Sequence, residues 1–334
     1  MTRVSAGARL HFGFTNLSLS HERLYGAFGV ALAAPRTVVE AEPNDVVDAT
    51  VGSTADVHAT VDDIADVRTY AERACDLLDV PGASVVVHES LPRHAGLGSG
   101  TQLAATTLAA ISRTYGHAPR VREHAPALGR GGRSGIGVAA FERGGFVLDA
   151  GHPTARFTTD RPTDGEWTVP AVAARHTVPE DWRFLLVRPN AEPGRSGGVE
   201  DAAMRGAVER ADPGLADRIA GIVTRRVLPA IAEGRAEPFG AAVAEIGRLN
   251  GAWYADEQGG VYRPPVGDVV TSLESSPAVF GAGQSSWGPT VYGVTNVDHA
   301  DAALAAGERA LDAAGVDGEV SVVSGTNDGA RIEE

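Results

Sequence analysis

A glycine-rich turn between a predicted strand and a predicted helix constrains the fold of this chain most strongly. The turn lies in residues 91–107, L-P-R-H-A-G-L-G-S-G-T-Q-L-A-A-T-T. The β-branched run 83–88 before it is typical of a strand, and the Ala- and Leu-rich run 102–111 after it is typical of a helix. Such a turn points backbone N–H groups and the positive end of the helix dipole at one spot, which binds anions such as phosphate.

We therefore predict a phosphate site at the residues of this turn, Gly96, Leu97, Gly98, Ser99, Gly100, Thr101 and Gln102. The alternative is a loop that only caps the helix. A P-loop is excluded, because the spacing differs from its motif and the chain contains no lysine.

The charge composition limits the classes of partner that the chain can bind. All 29 basic residues are arginine, 43 residues are acidic, and the net charge is −14. This balance argues against nucleic-acid binding and against binding to anionic membranes. An acidic chain without lysine is typical of a salt-adapted cytoplasm, whereas codon bias alone would not explain the acid excess. The start of the chain lacks a signal peptide and no apolar run reaches about 18 residues, so we expect a cytoplasmic protein.

Strands alternate with helices in both halves of the chain, which favours two α+β domains with mixed sheets. We place the domains at residues 1–178 and 179–334. The predicted strands are 3–12, 26–34, 37–41, 83–88, 145–149, 182–188 and 319–323, with a hairpin over 46–61. The predicted helices are 62–79, begun by Asp62 or Asp63, then 102–111, 120–128, 199–211, 215–232, 238–247 and 298–314. We expect an inter-domain connection over 153–180 and a frayed end in the last ten residues.

Two more glycine-rich segments carry polar side chains. In the first, Arg130 and Arg133 flank glycines, so each could bind an anion bidentately or form an ion pair on the surface. Ser134 and Gly135 follow them as candidate phosphate ligands. The second segment offers the candidate ligands Gly281, Gly283, Ser285 and Ser286. It would close the other side of a cleft, or else form a tight turn between strands.

Several further residues are candidates because of their position near these segments. His11 and His94 could donate to a phosphate or move a proton, although a lone histidine is more often structural. Together with Arg133 they are our candidate catalytic residues. Tyr25 and Trp287 could stack on an aromatic ligand or pack in the core. Arg195 and Ser196 form another candidate anion clamp. Glu142 and Asp149 are the nearest carboxylates for Mg²⁺, and we assign no metal ligand.

The three glycine-rich segments resemble the motifs of the GHMP kinase superfamily, in family order. Pro92, Gly96, Leu97, Gly98 and Ser99 match its P-x-x-x-G-L-G-S-S-A motif. Residues 9–16 resemble its N-terminal motif, and Gly281-Ala282-Gly283 with Gly288 resembles its C-terminal loop. The resemblance implies a two-domain α+β fold, with a left-handed crossover in the N-terminal mixed sheet and a ferredoxin-like α/β sandwich in the C-terminal domain.

The departures from the kinase motifs point to one branch. Where mevalonate kinases carry the aspartate of S-G-x-D as a base, this chain has Ser134-Gly135-Ile136-Gly137, and Gly137 cannot accept a proton. The pieces R-L-H-F-G-F, G-L-G-S-G-T-Q, R-G-G-R-S-G-I-G and G-Q-S-S-W-G-P-T resemble the archaeal β-ribofuranosylaminobenzene 5′-phosphate synthases. The acidic composition would fit a haloarchaeal member.

This resemblance implies a phosphoribosyltransferase of methanopterin-type pterin biosynthesis that depends on Mg²⁺. It would join 5-phosphoribosyl-1-pyrophosphate to a 4-amino- or 4-hydroxybenzoate, with loss of CO₂ and pyrophosphate. The alternatives are an ATP-dependent kinase with a different base and a degenerate family member that only binds a ligand. We expect small-molecule partners, no nucleic acid and no membrane, and leave a homodimer open.

Overall fold

The first sheet is built on two long strands that pair along most of their length. The computed structural model describes residues 1–52, 61–160, 162–192, 194 and 197–334. The strands of this sheet are β1 (Thr2–Asn16), β2 (Arg23–Pro43), β3 (Asp48–Val51), β4 (Ala83–Glu89), β5 (Phe146–Asp149), β6 (His152–Pro153) and β7 (Val172–His176). The main order is β12-β1-β2-β4-β3, where β12 (Arg331–Glu333) is the last strand of the chain; β5 and β6 pair with β2, and β7 pairs with β5. The β3–β4 pair is parallel.

Four helices belong to this part of the chain: α1 (Val61–Leu78), α2 (Ser99–Thr114), α3 (Val121–His124) and α4 (Ile136–Arg143). Helix α2 is buried along most of its length because its Ala- and Leu-rich run leaves no polar face, and it packs against β1, β2 and α1. A 3₁₀ turn, Ala125–Leu128, follows α3 at the predicted Pro126 break. The packing of α2 holds its N-terminus, and with it the glycine-rich turn, in a fixed place.

The second sheet has the ferredoxin-like order that the resemblance implies. Its strands are β8 (Trp182–Pro189), β9 (Gly281–Gln284), β10 (Val291–Asn296) and β11 (Gly318–Ser324). They are antiparallel in the order β11-β8-β10-β9. The helices of this part are α5 (Gly197–Arg210), α6 (Pro213–Ile222), α7 (Leu228–Ala232), α8 (Ala236–Gln258), α9 (Val266–Glu274) and α10 (Ala300–Ala314). Asp212 caps α6 by accepting the Gly214 N–H at 2.9 Å, as the start signal predicts.

One apolar core joins the two sheets. The ring of Phe12 in β1 lies 5.7 Å from that of Phe239 in α8 and 5.0 Å from that of Tyr292 in β10. All three side chains are buried. The end of β1 is therefore fixed against α8 and the second sheet, which places residues 9–16 beside the loop between β9 and β10.

Most of the predicted elements are confirmed, and several details of the prediction are wrong. The strands predicted at 26–34 and 37–41 are one strand, β2. Strand β3 pairs with β4 rather than forming a hairpin, and Ser53–Thr60 lie outside the described residues. Helix α1 begins at Val61, so Asp63 lies inside its first turn and does not cap it.

The remaining differences concern pairings that are distant in sequence. Residues 153–180 include β7, which extends the first sheet, rather than serving only as a connection. The last ten residues are not frayed, because β12 pairs with β1. Helices α4 and α9 were not predicted. No helix in the described ranges is long and apolar enough to span a membrane.

Candidate functional site

The glycine-rich turn forms an uncapped helix N-terminus. Gly98 adopts a left-handed conformation (φ +87°) at the start of α2, and no side chain caps the helix. The Thr101 and Gln102 N–H groups donate to the Gly98 carbonyl, so the N–H groups of Ser99 and Gly100 are the ones offered to an anion. The turn therefore leads into a helix N-terminus, as predicted, and phosphate binding there stays a prediction.

A cleft of about 540 Å³ opens in front of this helix end. Ser99, Gly100 and Thr101 line it on one side. The predicted residues His94, Arg130, Arg133 and Ser134 also line it. Its charged walls come from α1, α5 and two loops, and comprise Asp63, Asp66, Arg73, Arg93, Asp164, Glu200 and Asp201. The structure thus brings the first two glycine-rich segments together around one polar cavity.

Arginines and carboxylates are paired across the cleft walls. Arg133 donates to Glu200 at 2.7 Å and also to Asp201. Burial lowers the pKa of Arg133, but Glu200, Tyr25 and Asp201 outweigh that effect and raise it. The Arg133 side chain is 16% exposed, whereas those of Glu200 and Asp201 are 31% and 43% exposed, so these pairs lie in the cleft wall with their carboxylates partly in solvent.

The opposite wall carries a second set of cations. Arg93 pairs with Asp63 at 3.4 Å and with Asp66. Arg130 lies over the ring of Tyr70, 5.3 Å from its centroid, and its guanidinium approaches the α2 N-terminus beside Gly100. Backbone N–H groups and guanidinium groups therefore lie on facing sides of the cleft, and those of Arg93 and Arg133 are paired with carboxylates.

Arg9 lies beneath the turn and was not among the predicted site residues. It donates to the Gly96 carbonyl at 2.5 Å, and its side chain lies against Gly98. Burial lowers the pKa of Arg9 to about 10, and the nearby Glu200 opposes the change. Arg93 was also missed. Both arginines lie inside motifs that resemble those of the superfamily, and the chain has no lysine. These two facts could have indicated Arg9 and Arg93 as candidate site residues.

The third glycine-rich segment contacts the back of the turn instead of closing the cleft. The Ser285 hydroxyl donates to the Gly96 carbonyl at 2.7 Å and accepts the His11 N–H at 3.2 Å. Gly281 and Gly283 belong to β9, where a Cβ at Gly281 would lie 2.0 Å from the Gly240 carbonyl oxygen. Gly281 therefore permits close packing of α8, whereas a Cβ at Gly283 would lie 2.6 Å from the Tyr292 hydroxyl oxygen. Ser286 lines a separate small recess.

Several other candidates lie away from the cleft. Gln102 is buried and donates to the Gly137 carbonyl at 2.9 Å. Leu97 is buried and faces another cavity. Gly135 donates its N–H to Asp149 at 2.7 Å. Trp287 packs 4.4 Å from the ring of Tyr254. Arg195 and Ser196 lie outside the described residues.

The two candidate histidines occupy different places. His94 lines the cleft, with φ +52°, and its carbonyl accepts the Gly194 N–H at 2.9 Å. His11 is 4% exposed and lines the recess that also contains Ser286. Burial, with a further contribution from Arg9, lowers the pKa of His11 to about 3, so its imidazole is neutral.

Glu142 and Asp149, the carboxylates close in sequence to the second glycine-rich segment, do not line the cleft. Glu142 pairs with Arg122 at 2.8 Å. Asp149 is buried and accepts N–H groups from Gly135, Ala27 and Gly151 at 2.7, 3.1 and 2.9 Å. Burial raises the pKa of Asp149 to about 6, against the opposing effect of these three donors. Asp149 therefore fixes the backbone beside Arg133.

Two family models match the chain. The model for the GHMP kinases N terminal domain matches residues 64–145, and the model for the GHMP kinases C terminal domain matches residues 227–313. Among solved structures, homoserine kinase from Cytophaga hutchinsonii has a TM-score of 0.64 at 15% identity, covering 99% of this chain and 97% of that one. Galactokinase from Lactococcus lactis has a TM-score of 0.66 at 11% identity, covering 98% and 94%. These structures share the fold.

Curated relatives match over nearly the full length. The Beta-ribofuranosylphenol 5′-phosphate synthase of Methanothermobacter thermautotrophicus is 32% identical over 331 residues, which cover 98% of this chain and 97% of that protein. The protein of the same name from Methanocaldococcus jannaschii is 28% identical, covering 98% and 99%. The chain therefore belongs to the β-ribofuranosylphenol 5′-phosphate synthase family of the GHMP kinase superfamily, a family of pentosyltransferase-type enzymes.

Proposed function

We propose that this enzyme joins 5-phosphoribosyl-1-pyrophosphate to 4-hydroxybenzoate, forming a C–C bond and releasing CO₂ and pyrophosphate. 4-Aminobenzoate is the second acceptor to consider, and methanopterin-type pterin biosynthesis in a salt-adapted archaeal cytoplasm is the setting. The relatives named for ribofuranosylphenol support the hydroxy acid. The observation that carries the proposal is the cleft at the α2 N-terminus, which is lined by four arginines and five carboxylates and has no base at position 137.

Position 137 argues against phosphate transfer to a hydroxyl. A Cβ at Gly137 would lie 2.8 Å from Cγ2 of Thr101, and the Gly137 carbonyl accepts the Gln102 amide at 2.9 Å. Helices α2 and α4 are therefore packed at the point where the kinase motif carries its aspartate. A side chain there could not enter the cleft unless these helices moved apart, so the kinase base has no counterpart at this site.

The cleft residues can hold a pyrophosphate leaving group. Backbone N–H groups of Ser99 and Gly100, together with Arg130 and Arg133, would contact its oxygens. As the bond from the sugar to pyrophosphate breaks, negative charge grows on those oxygens and the contacts strengthen. Donors fixed before the reaction stabilise such charge most effectively. His94 lies on the same wall and could donate to the phosphate.

The carboxylates fit a Mg²⁺ that binds with the diphosphate. Mg²⁺ prefers oxygen ligands and is often held by one or two carboxylates plus substrate phosphates. Within the described ranges no three metal-ligating side chains cluster, so a site made of protein ligands alone is not offered. Asp66 and Asp201 lie on opposite walls and are the more exposed members of the two carboxylate pairs, so either one would offer an oxygen to an ion that enters with the diphosphate. When bound, Mg²⁺ would neutralise charge on the departing pyrophosphate.

The test compares substrates on the purified protein in high salt with Mg²⁺. We expect pyrophosphate release from phosphoribosyl pyrophosphate only when a 4-substituted benzoate is present, and no ADP from ATP. We also expect phosphoribosyl pyrophosphate, but not ATP, to raise the melting temperature. ADP formation with a polyol or an acid would support the kinase, and ligand binding without turnover of any pair would support a binding module.

A further inference from the structure

A second cavity adjoins the cleft beside α5. Its volume is about 400 Å³, and three charged residues, Arg133, Asp164 and Asp201, line both this cavity and the cleft. Asp160 and Arg205 line the second cavity but not the cleft, and their side chains are 65% and 53% exposed. The two cavities therefore meet at three charged side chains, and the second one continues outward from there to the Asp160–Arg205 pair.

The second cavity is polar. Besides its charged residues it is lined by Thr159 and Thr163, whose hydroxyls can donate and accept hydrogen bonds. The apolar lining comes from Pro162 and Tyr25. Tyr25 is only 2% exposed and packs 5.4 Å from the ring of Phe14, so it offers little surface on which an aromatic ligand could stack. Such walls suit a ligand with hydroxyl and phosphate groups better than an aromatic ring.

Helix α5 supplies both a carboxylate and a guanidinium to this cavity. Asp201 and Arg205 are four residues apart, so their side chains lie on one face of the helix, about 6 Å apart along its axis. Asp201 lies where the two cavities meet, and Arg205 lies one turn further out. This spacing is similar to the span from the ring hydroxyls of a ribose to its 5′-phosphate.

A buried donor at the junction of the two cavities has no partner. Arg133 donates through Nη1 to Glu200 and through Nη2 to Asp201. Its Nε is buried and forms no hydrogen bond within the described part of the chain. Buried polar groups are nearly always satisfied in folded proteins, by protein, water or ligand. The orphaned N–H group therefore indicates that a ligand with acceptor oxygens lies at the junction.

We propose that the second cavity binds the ribose 5-phosphate part of phosphoribosyl pyrophosphate, with the 5′-phosphate at Arg205 and the ring hydroxyls at Asp164 and Asp201. The inference rests on the proposed function, because that reaction needs one substrate with phosphate groups at both ends. The diphosphate then lies at the α2 N-terminus, and the anomeric carbon lies at the junction beside Arg133. A guanidinium binds phosphate bidentately, and ionised carboxylates accept hydrogen bonds from hydroxyls.

Asp160 competes with the 5′-phosphate for Arg205. Its carboxylate accepts a hydrogen bond from Nη2 of Arg205. Because both side chains are more than half exposed, the pair contributes little and water can solvate Asp160 when the phosphate replaces it. Removing the charge of Asp160 should therefore strengthen phosphate binding, whereas removing Arg205 should weaken it. A pair that only stabilised the surrounding loop would give the same sign for both substitutions.

The test is calorimetric titration of ribose 5-phosphate into the purified protein with Mg²⁺ and pyrophosphate, at one salt concentration. Arg205→Ala should raise the dissociation constant about tenfold, as expected for loss of a hydrogen bond between charged groups. Asp160→Asn should lower it about two- to fivefold. Neither change should alter the affinity for pyrophosphate alone. Arg210→Ala is the matched control, because Arg210 lies on the same helix, is 49% exposed, pairs with Glu257 at 2.6 Å and lines neither cavity.

The outcomes separate this inference from the proposed function. If the wild type forms CO₂ and pyrophosphate while Arg205→Ala binds ribose 5-phosphate as tightly as Arg210→Ala, the sugar phosphate binds elsewhere and the inference is overturned. Failure of the wild type to bind ribose 5-phosphate also overturns it. So does a loss of 4-hydroxybenzoate binding alone in Arg205→Ala, which would assign the cavity to the acceptor.

A similar loss of affinity in Arg205→Ala and Asp160→Asn would give the pair a structural role and would likewise overturn the inference. If the two variants shift the affinity in opposite directions as expected, but the wild type forms no CO₂ or pyrophosphate with any benzoate, the cavity assignment stands and the proposed reaction is wrong.

Discussion

The hydroxyl of Ser285 donates a 2.7 Å hydrogen bond to the carbonyl of Gly96, which joins the third glycine-rich segment to the glycine-rich turn before α2. The same approach leaves no space for a side chain at the turn, because a Cβ at Gly96 would lie 2.1 Å from the Ser285 carbonyl oxygen. Gly288 packs equally closely on the other side, with a Cβ position 2.1 Å from the Gly96 nitrogen. The position of this glycine-rich turn thus depends on the second half of the chain.

Gly96→Ala should therefore destabilise the protein far more than backbone strain alone would. Gly116→Ala is the matched control, because Gly116 also has a positive φ (+73° against +87°) but nothing lies within 4 Å of its Cβ position. We expect a loss of about 1–2 kcal/mol for Gly116→Ala from strain. Gly96→Ala should lose several kcal/mol and pyrophosphate binding. Denaturant titration at constant salt measures the free energy of unfolding of each variant, and calorimetric titration measures pyrophosphate binding. Equal losses of stability in the two variants would contradict the contact.

Arg133→Ala should weaken the binding of pyrophosphate. A hydrogen bond to a charged group contributes about 1.5–3 kcal/mol, so we expect the dissociation constant to rise about 10- to 100-fold. Arg205→Ala is the control, because Arg205 pairs with Asp160 outside the cleft and its side chain is 53% exposed. Calorimetric titration of pyrophosphate with Mg²⁺ measures the effect. A similar small change in the dissociation constant of both variants would show that Arg133 does not bind pyrophosphate.

Asp149→Asn should lower kcat/KM without unfolding the protein, because the buried carboxylate fixes the Gly135 backbone two residues after Arg133. An amide offers one acceptor oxygen where the carboxylate accepts three N–H groups, so the Arg133 loop should lose its fixed position. With the pKa of Asp149 raised by burial to about 6, the carboxylate is ionised above pH 6 and becomes protonated below it.

Wild-type kcat/KM should accordingly fall as the pH drops through about 6. Asp149→Asn should be impaired about tenfold or more at pH 8 and should lack this acid limb. The measurement is kcat/KM for pyrophosphate release between pH 5 and 8, with circular dichroism to confirm folding. An unchanged acid limb in the variant would assign the titration to another group.

The burial of His11 predicts a loss of stability in acid. Burial and Arg9 lower the pKa of folded His11 to about 3, whereas the unfolded side chain has a pKa near 6.5. Between these values the unfolded state binds the proton, so unfolding becomes easier as the pH falls. This group contributes about 1.4 kcal/mol per pH unit well below pH 6.5. His11→Asn should show a correspondingly smaller slope in unfolding free energy from pH 6 to pH 4, and parallel slopes would contradict this interpretation.

The sequence predicted best those parts of the site that are local in the chain. The strand β4, the glycine-rich turn and helix α2 lie in one continuous stretch, so their prediction required no knowledge of tertiary contacts. The ferredoxin-like sheet came from the family resemblance. In contrast, the pairing of β12 with β1 joins the two ends of the chain, and no local pattern in residues 325–334 indicates it.

The cleft residues that the sequence did not predict also depend on contacts between segments distant in the chain. Asp63 and Asp66 reach the cleft because α1 packs against α2, and Glu200 and Asp201 reach it from α5 in the second half of the chain. Asp149 was considered as a metal ligand because it is close in sequence to Arg133. Its burial against three N–H groups becomes evident only when the strands are assembled.

The central claim is that the chain transfers a phosphoribosyl group to carbon and does not transfer phosphate. The most direct measurement supplies phosphoribosyl pyrophosphate, Mg²⁺ and 4-hydroxybenzoate labelled with ¹³C in its carboxyl group, and follows the label by mass spectrometry. We predict equimolar ¹³CO₂ and pyrophosphate, with a ribosylated phenol phosphate that carries no label. A product that retains the ¹³C carboxyl group, or ADP formation from ATP in place of pyrophosphate release, would contradict the claim.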